Sequence, residues 1–131
     1  FPEGSCPEFA SKALSCKQIY RILAEEKMNI DVVSCGEIYT ASLAGFPLEN
    51  AYFHSNNKTD EDIAYAIDCN VGHFVVDNIE EVDAIDKIAS RKNVIARRFC
   101  RRGNYPYIKI SEAIKPRMFL FCKTDYLTLI R

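Results

Sequence analysis

The chain has 131 residues, of which 48% are hydrophobic, and its formal net charge is −1 at neutral pH. Such a composition is typical of one globular domain with its own core and excludes a disordered chain. No apolar run approaches the roughly 20 residues that cross a bilayer, and the first residues do not resemble a signal peptide, so a cytoplasmic protein is predicted. Because the first residue is Phe1, the sequence is expected to begin inside a longer reading frame.

Charge divides the chain into two parts. Residues 1–90 contain 6 Lys and Arg against 16 Asp and Glu, whereas residues 91–131 contain 11 against 2. A change of sign at one point indicates a change in organisation. The sequence therefore predicts an N-terminal unit over residues 1–96 and a basic tail over residues 97–131.

Cysteine and histidine spacing predicts no metal site. The six cysteines include no C-x-x-C pair, and His54 and His73 are not spaced as ligands of one ion. Most of the cysteines lie inside or beside predicted helices and strands, which favours reduced, largely buried thiols over a disulfide framework.

Short apolar strands alternate with amphipathic helices through the first 96 residues. The predicted strands cover residues 8–12, 30–33, 51–54, 73–76 and 93–96, and the helices cover residues 17–28, 37–44, 60–69 and 79–88. This alternation indicates βαβ units with a parallel sheet and right-handed crossovers. The pattern alone leaves a barrel and an open sheet as alternatives. In both architectures ligands bind at the carboxyl ends of the strands.

Lys12 ends the first predicted strand and has apolar neighbours. Imine chemistry needs such a lysine, since burial lowers the pKa of a lysine amine and supplies a neutral nucleophile. The alternative is a lysine that reaches from the rim of the sheet into solvent.

Three further candidates lie in or after the next two strands. Asp31 could orient a cationic group or cap the following helix, and His54 could contact a planar cofactor or have a structural role. Asn56 and its neighbour Asn57 could be turn residues, which tolerate a left-handed backbone, and this role is expected for at least one of them.

Five motifs over residues 9–78 resemble, in order and spacing, those of diaminopimelate decarboxylases. They are F-A-S-K-A-L-S at 9–15, D-V-V-S-C-G-E-I-Y at 31–39, A-G-F-P at 44–47, F-H-S-N-N-K-T at 53–59 and V-V-D-N at 75–78. The resemblance implies an α/β fold, an alanine-racemase-like (β/α)8 TIM barrel that is followed in the family by a β-rich domain. This chain would supply about four to five βα units of it.

The same resemblance implies a function. The family uses pyridoxal 5'-phosphate, works as a homodimer and decarboxylates meso-diaminopimelate to lysine. Lys12 matches the lysine that joins the cofactor covalently, and the resemblance places Asp31, His54 and Asn56 around the cofactor ring. The partners implied are a small amino-acid substrate and a second subunit, with no membrane.

Departures from the family predict a fragment. Glycine is common in the family where this chain has Lys27, Cys35 and Ser55. The family's later motifs, which bind the phosphate and the substrate, have no counterpart here. The chain is therefore expected to be a truncated N-terminal piece whose own activity is an open question, with residues 97–131 translated out of frame or disordered. An unclosed barrel would also leave a sheet edge open to association.

Two alternative functions remain. Four arginines among residues 97–102, near aromatic residues, could bind single-stranded nucleic acid or a protein partner, although such clusters are usually solvated. A pyridoxal-phosphate-binding homeostasis protein, or another basic-amino-acid decarboxylase, would keep the cofactor and change the reaction. The D-V-V-S and F-H-x-N-N-K motifs favour diaminopimelate decarboxylase.

Overall fold

The computed structural model describes residues 5–92 together with the backbone of two later strands. The strands are β1 (Glu8–Ala10), β2 (Asn29–Val32), β3 (Ala51–His54), β4 (His73–Val76), β5 (Ile95–Arg98) and β6 (Arg117–Cys122). In this part of the chain the α-helices are α1 (Lys17–Glu25), α2 (Cys35–Ala44), α3 (Asp60–Asp68) and α4 (Ile79–Arg91). Two 3-10 turns, Ser11–Ala13 and Leu48–Asn50, follow β1 and precede β3.

The strands form one parallel sheet in the order β1-β2-β3-β4-β6-β5. The first four strands are neighbours in both sequence and space, so right-handed crossovers place their helices on the same face. Accordingly α1 contacts α2, α2 contacts α3 and α3 contacts α4. A doubly wound sheet would instead reverse its strand order and carry helices on both faces. The first four strands and their helices therefore have the arrangement of a partial (β/α) barrel, as predicted.

The two faces of the sheet differ in chemistry. The face under the helices is apolar: Ile30, Val32 and Phe53 are fully buried there, and the Phe53 and Phe74 rings meet edge to face at 5.8 Å. Register places Ala10, Asp31, Tyr52 and His73 in one row, which alternates with that apolar row. Strands covered by helices on both faces would be apolar throughout. The polar face is therefore the concave face of the partial barrel.

Local caps fix two of the helix ends. Thr59 and Asp62 form a capping box at the start of α3, where each side chain accepts a hydrogen bond from the other residue's backbone N–H. Gly45 ends α2 with a left-handed backbone at φ 79°, two residues before Pro47. These caps set the points at which the chain returns to the sheet.

The strands differ from prediction at both ends of the sheet. β1 ends at Ala10 rather than at residue 12 because the chain enters a 3-10 turn. β5 covers Ile95–Arg98 rather than residues 93–96, and β6 lies between β4 and β5. Two residues of β5 and all of β6 thus belong to the segment predicted as a basic tail, so that the division at residue 97 passes through a strand. Residues 99–116 and 123–131 lie outside the described residues, and the out-of-frame origin of the tail stays a prediction.

Of the helices in the described part of the chain, none combines the length and the hydrophobicity needed to cross a membrane.

Candidate cofactor site at the ends of the parallel strands

Polar residues gather where the first four strands end. Lys12 follows β1, Asp31 lies in β2, His54 is the last residue of β3 and Asp77 follows β4. Because the strands are parallel, these positions share one rim of the sheet, where ligands bind in α/β proteins. The predicted location of the candidate site therefore agrees with the topology.

Lys12 lies in the 3-10 turn after β1 and is exposed. Of the two alternatives for Lys12, this exposure favours the lysine that reaches into solvent, because its apolar neighbour Leu14 is itself 53% exposed and gives it no cover. Lys12 is nevertheless close enough to Asp31 for its charge to lower the pKa of that carboxyl. Its amine is thus accessible to a reagent in solution while facing a carboxylate.

Asp31 is the most perturbed acid of this rim. Burial raises its pKa, while the nearby His54 and the charge of Lys12 offset part of that increase. His54 Nδ1 lies 3.6 Å from Asp31 Oδ2, which is longer than a hydrogen bond and within the range of an ion pair. Asp31 Oδ1 is buried and accepts no hydrogen bond from the described residues. The rim therefore holds a carboxylate oxygen that is available to an N–H donor.

Asn56 is exposed in the turn after β3. Both Asn56 and Asn57 lie in this turn, as expected for at least one of them. Neither has a left-handed backbone, since among the described non-glycine residues positive φ angles occur at Lys27 (55°) and Asn70 (58°). The predicted role of Asn56 beside a cofactor stays a prediction.

Sequence reasoning gave no role to Lys58, a lysine of this rim whose side chain is buried. Its Nζ donates hydrogen bonds to Ser55 O at 2.8 Å, Val75 O at 2.7 Å and Glu81 Oε1 at 2.7 Å. The signal available in the sequence was the lysine of the F-H-S-N-N-K-T motif, three residues after Ser55. Nothing in the sequence indicated its partner Glu81, which lies one helix later.

A family model decides the class of this protein. The pyridoxal binding domain of the pyridoxal-dependent decarboxylases matches residues 2–103. The chain belongs to this family. The predicted family and its cofactor, pyridoxal 5'-phosphate, are confirmed.

Individual relatives agree with the family. The diaminopimelate decarboxylase of Staphylococcus aureus is 49% identical over 82 residues, which make up 63% of this chain and 20% of that protein. The structure of diaminopimelate decarboxylase from M. jannaschii with L-lysine is 36% identical, with a TM-score of 0.62, over 67% of this chain and 20% of that one. The Helicobacter pylori enzyme with L-lysine is 29% identical, with a TM-score of 0.67, over 75% and 25%.

The chain spans about a fifth of the length of the curated relatives that it matches. The matched part holds the candidate residues at the strand ends. The arginine cluster of the nucleic-acid alternative lies beyond the residues whose side chains the structure describes, and that alternative stays a prediction.

Proposed function

We propose that this chain is the N-terminal, cofactor-binding part of a diaminopimelate decarboxylase, a cytoplasmic homodimer in lysine biosynthesis that converts meso-diaminopimelate to lysine. The observation that carries the proposal is the half-buried Asp31, which lies between the accessible Lys12 and His54 at the ends of three neighbouring strands. The names of the relatives and the L-lysine in two of the similar structures support this substrate class.

The residues of the rim fit pyridoxal 5'-phosphate. Lys12 would hold the cofactor covalently through its accessible amine, which is the nucleophile that an aldehyde requires. Asp31 Oδ1 supplies a buried acceptor for an N–H group, and Asp31 has a negative charge that would attract a cation. His54, whose imidazole is planar, stands beside that carboxyl.

In the reaction proposed, the bond between the α-carbon and one carboxylate of diaminopimelate breaks and carbon dioxide leaves. Its electron pair stays on the α-carbon, where a proton then replaces the carboxylate. When bound, the cofactor acts as the electron sink for this pair.

The first experiment tests whether Lys12 carries the cofactor. The 131-residue chain is mixed with pyridoxal 5'-phosphate, reduced with borohydride and digested, and the labelled lysine is identified by mass spectrometry. We expect a visible absorption band and a label on Lys12, and both should disappear in Lys12→Ala. Lys17→Ala, which removes another exposed lysine five residues away, should change neither. Equal labelling of Lys17 and Lys12 would contradict the proposal.

A further inference from the structure

Lys58 is fully buried next to the candidate site. Its side chain is 0% exposed, and its three hydrogen bonds to Ser55, Val75 and Glu81 satisfy the three protons of its ammonium group. The acceptors belong to three separate segments: the turn after β3, the strand β4 and the first turn of α4. The lysine therefore joins three elements of the rim at a single nitrogen atom.

Glu81 extends this connection to the end of β4. Its side chain is 10% exposed, and Oε2 accepts a hydrogen bond from the backbone N–H of Asp77 at 2.8 Å. The backbone N–H of Glu81 itself donates to Asn78 Oδ1 at 2.8 Å. Ser55 and Asp77 directly follow the last residues of β3 and β4. The Lys58–Glu81 pair thus fixes the backbone where His54 and Asp77 leave the sheet.

The preceding helix serves as an internal comparison. Glu37 occupies the same third position of α2, where its Oε2 accepts a hydrogen bond from the backbone N–H of Val33 at 2.7 Å. No ion pair to Glu37 is found among the described residues. A glutamate therefore caps the helix and holds the strand end without a lysine. Lys58 links the ends of the neighbouring strands β3 and β4, and α2 has no such link.

A buried ion pair is a poor source of stability. Removing both charges from water costs several kcal/mol per ion, and replacing such a pair by apolar residues is often neutral or stabilising. The role of the pair is therefore to fix the geometry of the rim rather than to stabilise the fold. His54 is the residue that immediately precedes Ser55, and it faces Asp31.

Lys58 and Lys12 differ in their surroundings. Lys12 is exposed in a surface turn, whereas the Nζ of Lys58 donates to three acceptors within the protein. An amine condenses with an aldehyde through a free lone pair, which this environment withholds from Lys58.

We infer that Lys58 is a positioning residue: it holds His54 against Asp31 for cofactor binding and is itself kept from the cofactor's aldehyde. This inference rests on the proposed function, because it assumes that pyridoxal 5'-phosphate binds at this rim. It adds a residue pair, Lys58 and Glu81, to the residues expected from the family motifs.

The test uses the full chain with both charges of the pair removed. Lys58→Met/Glu81→Gln leaves no unpaired buried charge, so that the fold has the best chance of being kept. The control is Lys92→Met, which removes another lysine that joins two helices, through Asp68 and Ala64 O, away from the rim. Folding is checked by circular dichroism and denaturant unfolding, and cofactor affinity is measured from the visible band.

We expect the double variant to stay folded and to bind pyridoxal 5'-phosphate at least about tenfold more weakly, a loss of 1.4 kcal/mol, while Lys92→Met binds like the wild type. The NMR signals of the His54 imidazole, one of two histidines in the chain, should shift in the cofactor-free double variant and not in the control. After borohydride reduction of the wild type, Lys58 should carry no cofactor label.

Several outcomes would overturn the inference. A folded double variant with unchanged cofactor affinity and unchanged His54 signals would show that the pair does not position the rim. A double variant that fails to fold would show that the pair serves the fold itself, and a label on Lys58 would show that the amine is not withheld. If the wild type gives no Lys12-dependent band, the proposed function fails instead, and the His54 signals still test the positioning.

Discussion

Asp31 and His54 face each other from neighbouring strands, with 3.6 Å between Oδ2 and Nδ1. Burial keeps the pKa of Asp31 above its ordinary value although His54 and Lys12 both favour the charged form. The fold therefore holds a carboxylate that it does not fully compensate. Such a group lowers stability and is commonly found at functional sites.

Replacing Asp31 by Asn should stabilise the chain at neutral pH. Because the folded pKa is raised above the unfolded value of 3.8, the folded state binds this proton more tightly than the unfolded chain does. The stability that this group contributes is present below pH 3.8 and is lost as the pH rises through the folded pKa. The advantage of Asp31→Asn, measured by denaturant unfolding, should therefore shrink on acidification.

The same substitution should weaken cofactor binding, since the negative charge at the rim is lost. Asp83→Asn, at an exposed position of α4, is the matched control and should change neither property. A stability gain for Asp31→Asn that grows as the pH falls would contradict the raised pKa.

Local periodicity was enough to predict most of the sheet and its helices. The bounds of β3 and β4 match the prediction, because both are short apolar runs followed by polar turn residues. β6 was missed because the charge division placed its apolar run, M-F-L-F at residues 118–121, in a basic tail. Net charge describes a segment as a whole, whereas a strand depends on only a few consecutive residues.

The sequence predicts where the site lies but not the exposure and the contacts of its side chains. Parallel strands bring their ends to one rim, so the neighbourhood of Lys12, Asp31 and His54 follows from topology. The exposure of Lys12 depends on what covers it, and the partner of Lys58 lies 23 residues away in sequence. Such contacts are set by packing between elements, which a single sequence does not reveal.

Cys35 should resist alkylation. It is the first residue of α2, where a helix N-terminus would normally lower a thiol pKa. Burial and a hydrogen bond from its Sγ to Asp62 Oδ1, 3.0 Å away, instead raise the pKa of Cys35 to about 12. With iodoacetamide at mildly alkaline pH, the exposed Cys6 and Cys16 should react well before Cys35.

Two substitutions distinguish the effect of the Asp62 carboxylate on the Cys35 thiol from its role in capping α3. Asp62→Asn should speed the alkylation of Cys35, because it removes the negative charge beside the thiolate. Thr59→Ala disrupts the same capping box and keeps that carboxylate, so it should cost about 1 kcal/mol of stability without the same gain in Cys35 reactivity. Mass spectrometry of the labelled peptides distinguishes the two. Equal rates for Cys35 and Cys6 in the wild type would contradict the raised pKa.

Lys27→Gly should stabilise the chain by about 1 kcal/mol. Lys27 follows Glu26, the C-cap of α1, and has φ 55°. The backbone hydrogen bonds from Lys27 N to Ala24 O and from Met28 N to Leu23 O form a Schellman motif. Glycine adopts this left-handed conformation without the steric cost that a side chain brings. Lys87→Gly, inside α4, should instead cost about 1 kcal/mol. Denaturant midpoints of the two variants should move in opposite directions.

Gly72→Ala should be strongly destabilising. Gly72 N donates a hydrogen bond to Leu48 O at 3.0 Å just before β4, and a Cβ at this position would lie 2.0 Å from the backbone oxygen of Glu49. Because that contact is with backbone, the turn before β3 and the start of β4 would have to separate, and we expect a loss of more than about 2 kcal/mol. Gly36→Ala is the matched control: its Cβ would meet Ser34 Oγ at 3.8 Å, an ordinary contact, inside α2. Alanine there should stabilise the helix by up to about 1 kcal/mol, and a similar small gain at Gly72 would show that the two segments are not in close contact.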